Sequence, residues 1–266
     1  MFGDTYLFID GGYLKSLYRD LFTPLFGENY RVDYRAVLDS FSARRGFLYD
    51  CLDDAQKLGE SEADFKGRVK SQEEFFDEID KVEGVHVRYG YLTHGKKRQQ
   101  KEVDVTLAVD MLTHAFYKNM NQAVLLSGDR DFRPVVESVV RLGILVKVAY
   151  DPRTGSRPLA RAADNEIEID ISTLCDWINL EKYEERRKHF PVKCIYPDQN
   201  GDPFRAIPGF RLGVIGPEKL AIGLCEQDNL WHVTVQINQR DYCLYLFHDR
   251  TKLFEYLAKK YGTISL

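Results

Sequence analysis

Short apolar runs alternate along this chain with longer stretches of helical periodicity. Residues 6–9, Tyr-Leu-Phe-Ile, form a first run that stops at Asp10-Gly11-Gly12, which predicts a strand and then a turn. Apolar residues at helical spacing follow over 13–22 and again over 31–45. Residues 46–52 read as a second strand. Residues 60–83 are charged but carry Phe65, Val69, Phe75, Phe76 and Ile79, the pattern of a solvated helix with one apolar stripe. Residues 85–92 alternate and are rich in β-branched and aromatic types, so they predict a strand, and the polar, basic 93–100 predicts a loop.

The stretch 102–119 is long and mostly apolar, as expected of a largely buried helix. A strand follows at 123–129, and then a helix at 132–143 with Pro134 in its first turn and Gly143 closing it. Residues 144–150 predict a strand, 157–164 a short helix and 166–171 a last strand. Continuous apolar strands alternating with helices indicate a parallel sheet covered on both faces. The expected fold class over 1–172 is therefore α/β. Residues 173–189 predict a connecting helix whose second half is highly charged. Residues 190–266 change texture, with Gly and Pro enriched, then three short strands and a closing helix, which predicts a small α+β domain.

Composition narrows the classes. The 44% apolar and 13% aromatic content of the 266 residues suits a globular chain. A net charge of -4 supplies no global basic field, so any nucleic-acid partner must be held by a local patch. Five scattered cysteines without a C-x-x-C pair, and no apolar leader before residue 5, give the expectation of a reduced, cytoplasmic protein with no membrane span. Cys225, His232, Cys243 and His248 share the last domain, but their spacing is irregular for a zinc site. A phosphatase with an aspartyl nucleophile at Asp10 needs a second Asp two residues on, where this chain has Gly12.

Four aspartates stand at chemically informative places. Asp10 and Asp129 end strands, Asp131 follows two residues later, and Asp104 opens the long helix. Each alone reads equally well as a helix cap or an Asx-turn. Strand ends of a parallel sheet converge on one edge, where ligands bind. Carboxylates gathered there without fixed cations repel one another and raise each other's pKa. A hard cation such as Mg²⁺ or Mn²⁺, which takes oxygen ligands, relieves that cost and can activate water for phosphodiester hydrolysis. Asp110, six residues beyond Asp104, turns away from that face and is expected to be structural or exposed.

Three segments in this order, FIDGGYL (8–14), KEVDVTLAVDML (101–112) and LLSGDRDF (125–132), resemble the signature of LabA-like NYN domains, which belong to the PIN-like nucleases. The closing GSRPLARAADNEIEID (155–170) is similar too. The resemblance spans about 5–172 and implies a PIN-like/Rossmann-like parallel sheet flanked by helices. It also implies metal-dependent endonucleolytic cleavage, mostly of RNA. Its implied metal ligands are Asp10, Asp104 and Asp129, with Asp131 as a fourth catalytic acid and Mg²⁺ or Mn²⁺ as cofactor. Ser127 would shape the turn and bond a metal-bound water. Where many members carry Asn shortly after the first Asp, this chain has Tyr13.

Substrate contacts are expected from Lys96, Lys97, Arg98 and Lys101, just before Asp104, and from Arg130 and Arg133 around the second turn. Tyr13 and Tyr91 are candidates for stacking on unpaired bases. The alternative is a non-catalytic module on the same fold that binds RNA or protein. Residues 190–266 are the expected site for a protein partner, a ligand or self-association.

Overall fold

The computed structural model describes residues 4–23, 30–91, 101–152, 154–169, 171–178, 192–197, 211–227, 230–236, 241–247 and 249–266. They fall into two units, one of residues 1–20 and 32–169 and one of residues 21–31 and 170–266.

From the first strand on, the elements run β1 (Thr5–Asp10), α1 (Gly11–Leu17), a π-helical turn at Tyr18–Phe22, α2 (Tyr34–Ser40), β2 (Arg45–Leu52) and α3 (Glu62–Asp80). Then come β3 (Val85–Tyr91), α4 (Lys101–Phe116), β4 (Gln122–Leu126), a 3-10 turn at Arg130–Phe132, α5 (Arg133–Arg141), β5 (Leu145–Tyr150), α6 (Arg157–Ala160) and β6 (Asn165–Glu168). The six strands form one parallel sheet in the order β3-β2-β1-β4-β5-β6. The fold is the expected α/β parallel sheet flanked by helices.

The sheet is apolar on both faces because helices cover both. Phe8, Phe47, Tyr49, Leu125 and Val148 belong to one core, together with Val103, Leu107, Met111 and Ala115 of α4. Those four helix residues recur every four positions and make a single buried stripe. The alternate strand residues Leu7, Ile9, Leu48, Val124 and Leu126 are fully buried outside that core, as period two requires. Helix α1 packs on β1 and β2, and α3 on β2 and β3.

Two local departures from the sequence reading have physical reasons. No turn separates β1 from the first helix: α1 begins at Gly11, with Asp10 as its N-cap. Gly11 is needed for closeness, since a Cβ there would lie 2.7 Å from the Tyr49 carbonyl oxygen. Helix α2 is shorter than its periodicity predicts. It ends at Ser40, and Ser42 takes a positive φ of 50° to swing the chain into β2. Helix α5 starts with Pro134 in its first turn, and Gly143, at φ 82°, follows its end.

The second unit is α+β. After α7 (Ile171–Asp176) come β7 (Val192–Pro197), β8 (Arg211–Ile215), β9 (Leu220–Gln227), β10 (Leu230–Gln236) and β11 (Asp241–Phe247), then α8 (Arg250–Tyr261) and β12 (Ile264–Ser265). The sheet is antiparallel, in the order β12-β8-β9-β10-β11-β7. Helix α8 is capped by Asp249, which accepts the Thr251 and Lys252 N–H groups, and it packs on β11. Its buried Leu253, Tyr256 and Leu257 are the core side of an amphipathic helix. Of the connecting helix expected over 173–189, residues 179–189 lie outside the described residues.

Candidate active site

The sheet brings the first and fourth strands side by side, with Ile9 level with Leu126. The next residues of each, Asp10 and Ser127, therefore meet at the carboxyl edge. Asp10 Oδ2 accepts the Ser127 hydroxyl at 2.8 Å, and its Oδ1 accepts the Tyr13 backbone N–H at 3.0 Å. Ser127 is fully buried, and its Oγ also accepts the Asp129 N–H at 3.1 Å. One hydroxyl thus ties the two strand ends together and orients both acids. Asp129 Oδ1 in turn accepts the Asp131 N–H at 2.9 Å, capping the 3-10 turn. Both acids are helix caps and site acids at once.

Asp104 comes from the other direction, on the first turn of α4 beside the buried Val103. Asp10, Asp104 and Asp129 line one cavity of about 390 Å³, together with Gly12, Tyr13, Ser16, Gly128 and Thr154. The electrostatics follow from that convergence. Burial raises the Asp10 carboxyl above its ordinary range, its two hydrogen bonds pull it down, and Asp129 and Asp50 push it up again. Asp104 is pushed up to about 6, first by burial and then by Asp10, Asp129 and Asp131. Asp10, Asp129 and Asp131 are therefore all within electrostatic reach of Asp104, and Asp129 of Asp10. Asp110 is placed elsewhere: it accepts the Tyr49 hydroxyl at 3.0 Å and lies 3.7 Å from Arg88.

The cationic candidates divide. Lys96, Lys97 and Arg98 lie outside the described residues. Lys101 is the first residue of α4. Arg130 is exposed in the turn between Asp129 and Asp131, whereas Arg133 is paired with Glu137 at 2.7 Å.

Three further groups belong to this edge and were not singled out for it. Asp50, on β2, is 4% exposed and within electrostatic reach of Asp10. It holds Lys15 of α1 through both oxygens, at 2.8 and 2.6 Å. Asp151 and Thr154 sit in the loop after β5, and the Asp151 N–H donates to the Tyr13 hydroxyl at 2.8 Å. The signal for Asp50 was available, since β2 is a neighbour of β1 and an acid near its carboxyl end reaches the same edge.

The donor set fits a hard cation in kind, being carboxylate and hydroxyl oxygen throughout. Among the described residues, however, no group of three or more His, Cys, Asp or Glu side chains is drawn into a formed metal-binding cluster. The hydrogen bonds give the reason: both Asp10 oxygens and one Asp129 oxygen are turned to protein donors. The capacity for a cation lies in the donor chemistry and the mutual repulsion, not in a ready-made cage.

The family model for the NYN domain matches residues 4–170. The chain belongs to the NYN domain family. This places the first unit in the PIN-like nuclease superfamily, a fold linked to nucleic-acid processing, and the matched segment contains every acid of the cavity. No curated protein matches the chain. Among solved structures, the NYN chain is similar to a protein of unknown function from Vibrio parahaemolyticus, at 19% identity and a TM-score of 0.48. That alignment covers 66% of this chain and 96% of the other. Among the described residues no helix is long and apolar enough to cross a membrane.

Proposed function

We propose that this NYN protein is a Mg²⁺- or Mn²⁺-dependent endonuclease that hydrolyses phosphodiester bonds in RNA. The observation that carries the reading is the convergence of Asp10, Asp104 and Asp129, from two strand ends and a helix, on one cavity, where Asp10, Asp129 and the nearby Asp131 raise the Asp104 pKa. Uncompensated carboxylates are costly to gather, and a divalent cation is the partner that removes the cost. Asp10, Asp104 and Asp129 would hold it, and it would supply polarisation of a phosphoryl oxygen and an activated water. Ser127 keeps Asp10 turned into the site. Lys96, Lys97, Arg98, Lys101 and Arg130 are the proposed contacts to the substrate backbone. In this reading residues 1–172 cut, 173–189 connect, and 190–266 recognise a substrate or partner in the cytoplasm.

The test is cleavage of labelled single-stranded RNA, duplex RNA, tRNA and single-stranded DNA by pure protein in Mn²⁺ or chelator, beside Asp129→Asn. Metal-dependent cutting lost in the variant supports the nuclease. Cutting that survives both chelator and the substitution sinks it. A second reading, a module that binds RNA or protein without cutting, draws on the carboxylate oxygens already being engaged by protein donors. RNA binding that persists in chelator with no turnover would favour it.

A further inference from the structure

We propose that Thr154 reads the ribose 2′-hydroxyl of the nucleotide bound beside the acids, and so sets RNA over DNA. The inference rests on the nuclease reading above and deepens it. The cavity lining is of two kinds. Asp10, Asp104 and Asp129 make up the acidic part of its lining, and Gly12, Tyr13, Ser16, Gly128 and Thr154 the uncharged part.

The uncharged part is built, not incidental. The loop after β5 is fastened to the site at two points: the Asp151 N–H donates to the Tyr13 hydroxyl at 2.8 Å, and the Ser156 N–H donates to the Gly128 carbonyl at 3.0 Å. Within the loop the Asp151 carbonyl accepts the Thr154 and Gly155 N–H groups, at 3.1 and 2.8 Å. Asp151 is 1% exposed. The Tyr13 ring is pressed against Gly128, where a Cβ would lie 2.6 Å from Tyr13 Cε2 and 3.0 Å from Gly155 Cα.

Hydrogen-bond direction decides what this part accepts. The Tyr13 oxygen receives the Asp151 N–H at 2.8 Å. The Thr154 proton points to Asp151 Oδ2, 3.5 Å away. A threonine hydroxyl has one donor and two acceptor positions. With its proton directed at Asp151, Thr154 offers the cavity an acceptor. Phosphate oxygens are acceptors too and gain nothing there, whereas a ribose 2′-hydroxyl brings a donor. The phosphate then sits toward the acids and the sugar toward Thr154.

The experiment compares wild type, Thr154→Val and Thr154→Ser on single-stranded RNA, on the same RNA carrying one 2′-deoxy nucleotide beside the cleaved bond, and on DNA. Thr154→Val is expected to lower kcat/KM on RNA about tenfold, the value of one hydrogen bond of about 1.4 kcal/mol. It should leave DNA unchanged and lose sensitivity to the single deoxy substitution, while Thr154→Ser keeps the wild-type ratio. The two changes must be non-additive if they remove the same contact. Additive losses, or equal losses on RNA and DNA, overturn the assignment while leaving the nuclease standing. The same ratios are read as binding anisotropy on an Asp129→Asn background. A chain that neither binds nor cuts any of the three polymers overturns both readings.

Discussion

Replacing Asp104 by Asn should stabilise the protein at neutral pH, although it removes a residue of the proposed centre. In the fold the Asp104 carboxyl is pushed from its ordinary 3.8 to about 6, by burial and by Asp10, Asp129 and Asp131. An acid whose folded pKa is raised binds its proton more tightly when folded. Its favourable contribution is fully present below the unfolded value and is lost as pH rises through about 6. The shift corresponds to about 3 kcal/mol, but Asp104 is only half-buried and solvent screens the repulsion. The effect that survives is about 1 kcal/mol. Asn keeps the shape without the charge, so thermal unfolding at pH 8 should move up by about 3 °C. The gap between variant and wild type should shrink to a small remainder by pH 4, where Asp104 is protonated in the fold. Adding Mn²⁺ at a hundredfold excess over its Kd should raise wild type by about 2.7 kcal/mol and the variant far less. A variant less stable than wild type at pH 8, or a gap that does not change between pH 8 and 4, would refute the account of carboxylates in mutual repulsion.

Three other outcomes follow from the same geometry. Ser127→Ala deprives buried Asp10 of its 2.8 Å donor and the Asp129 N–H of its acceptor, so denaturant unfolding should lose about 2 kcal/mol. Gly128→Ala pushes a Cβ to 2.6 Å from the Tyr13 ring, and overpacking of this kind should cost about 1–3 kcal/mol in the same measurement. Lys15→Ala strands the buried Asp50 without its partner; because the lysine side chain is largely exposed, water replaces part of what is lost, and a cost of about 1–2 kcal/mol is expected. No change in denaturation midpoint for any of the three would contradict the role given to that residue.

Much of this was legible in the chain because burial on both faces leaves continuous apolar strands, and because acids at strand ends must converge. Asp10 and Asp129 could be placed on one edge from the strand pattern, whereas Asp104, on a helix, was joined to them by the family resemblance. What escaped depended on tertiary approach. Gly11 and Gly12 read as a turn, yet Gly11 is there so that a helix can start against the Tyr49 carbonyl. Asp50 lies inside a strand, where an isolated charge gives no periodic signal, and its ammonium partner is 35 residues away. Thr154 sits in a polar loop whose composition says only loop; its value comes from the Tyr13 hydroxyl, 138 residues before Asp151.

The strand order has a consequence for synthesis. The first strand made, β1, lies at the centre of the sheet between β2 and β4, and its pairing with β4 waits until residue 126 has been made. Asp10 therefore has no Ser127 to orient it, and no Asp129 beside it, while the ribosome is still building the first half of the domain. The acids of the proposed centre are therefore brought together only when the first unit is nearly complete, and a product truncated before residue 127 cannot assemble them.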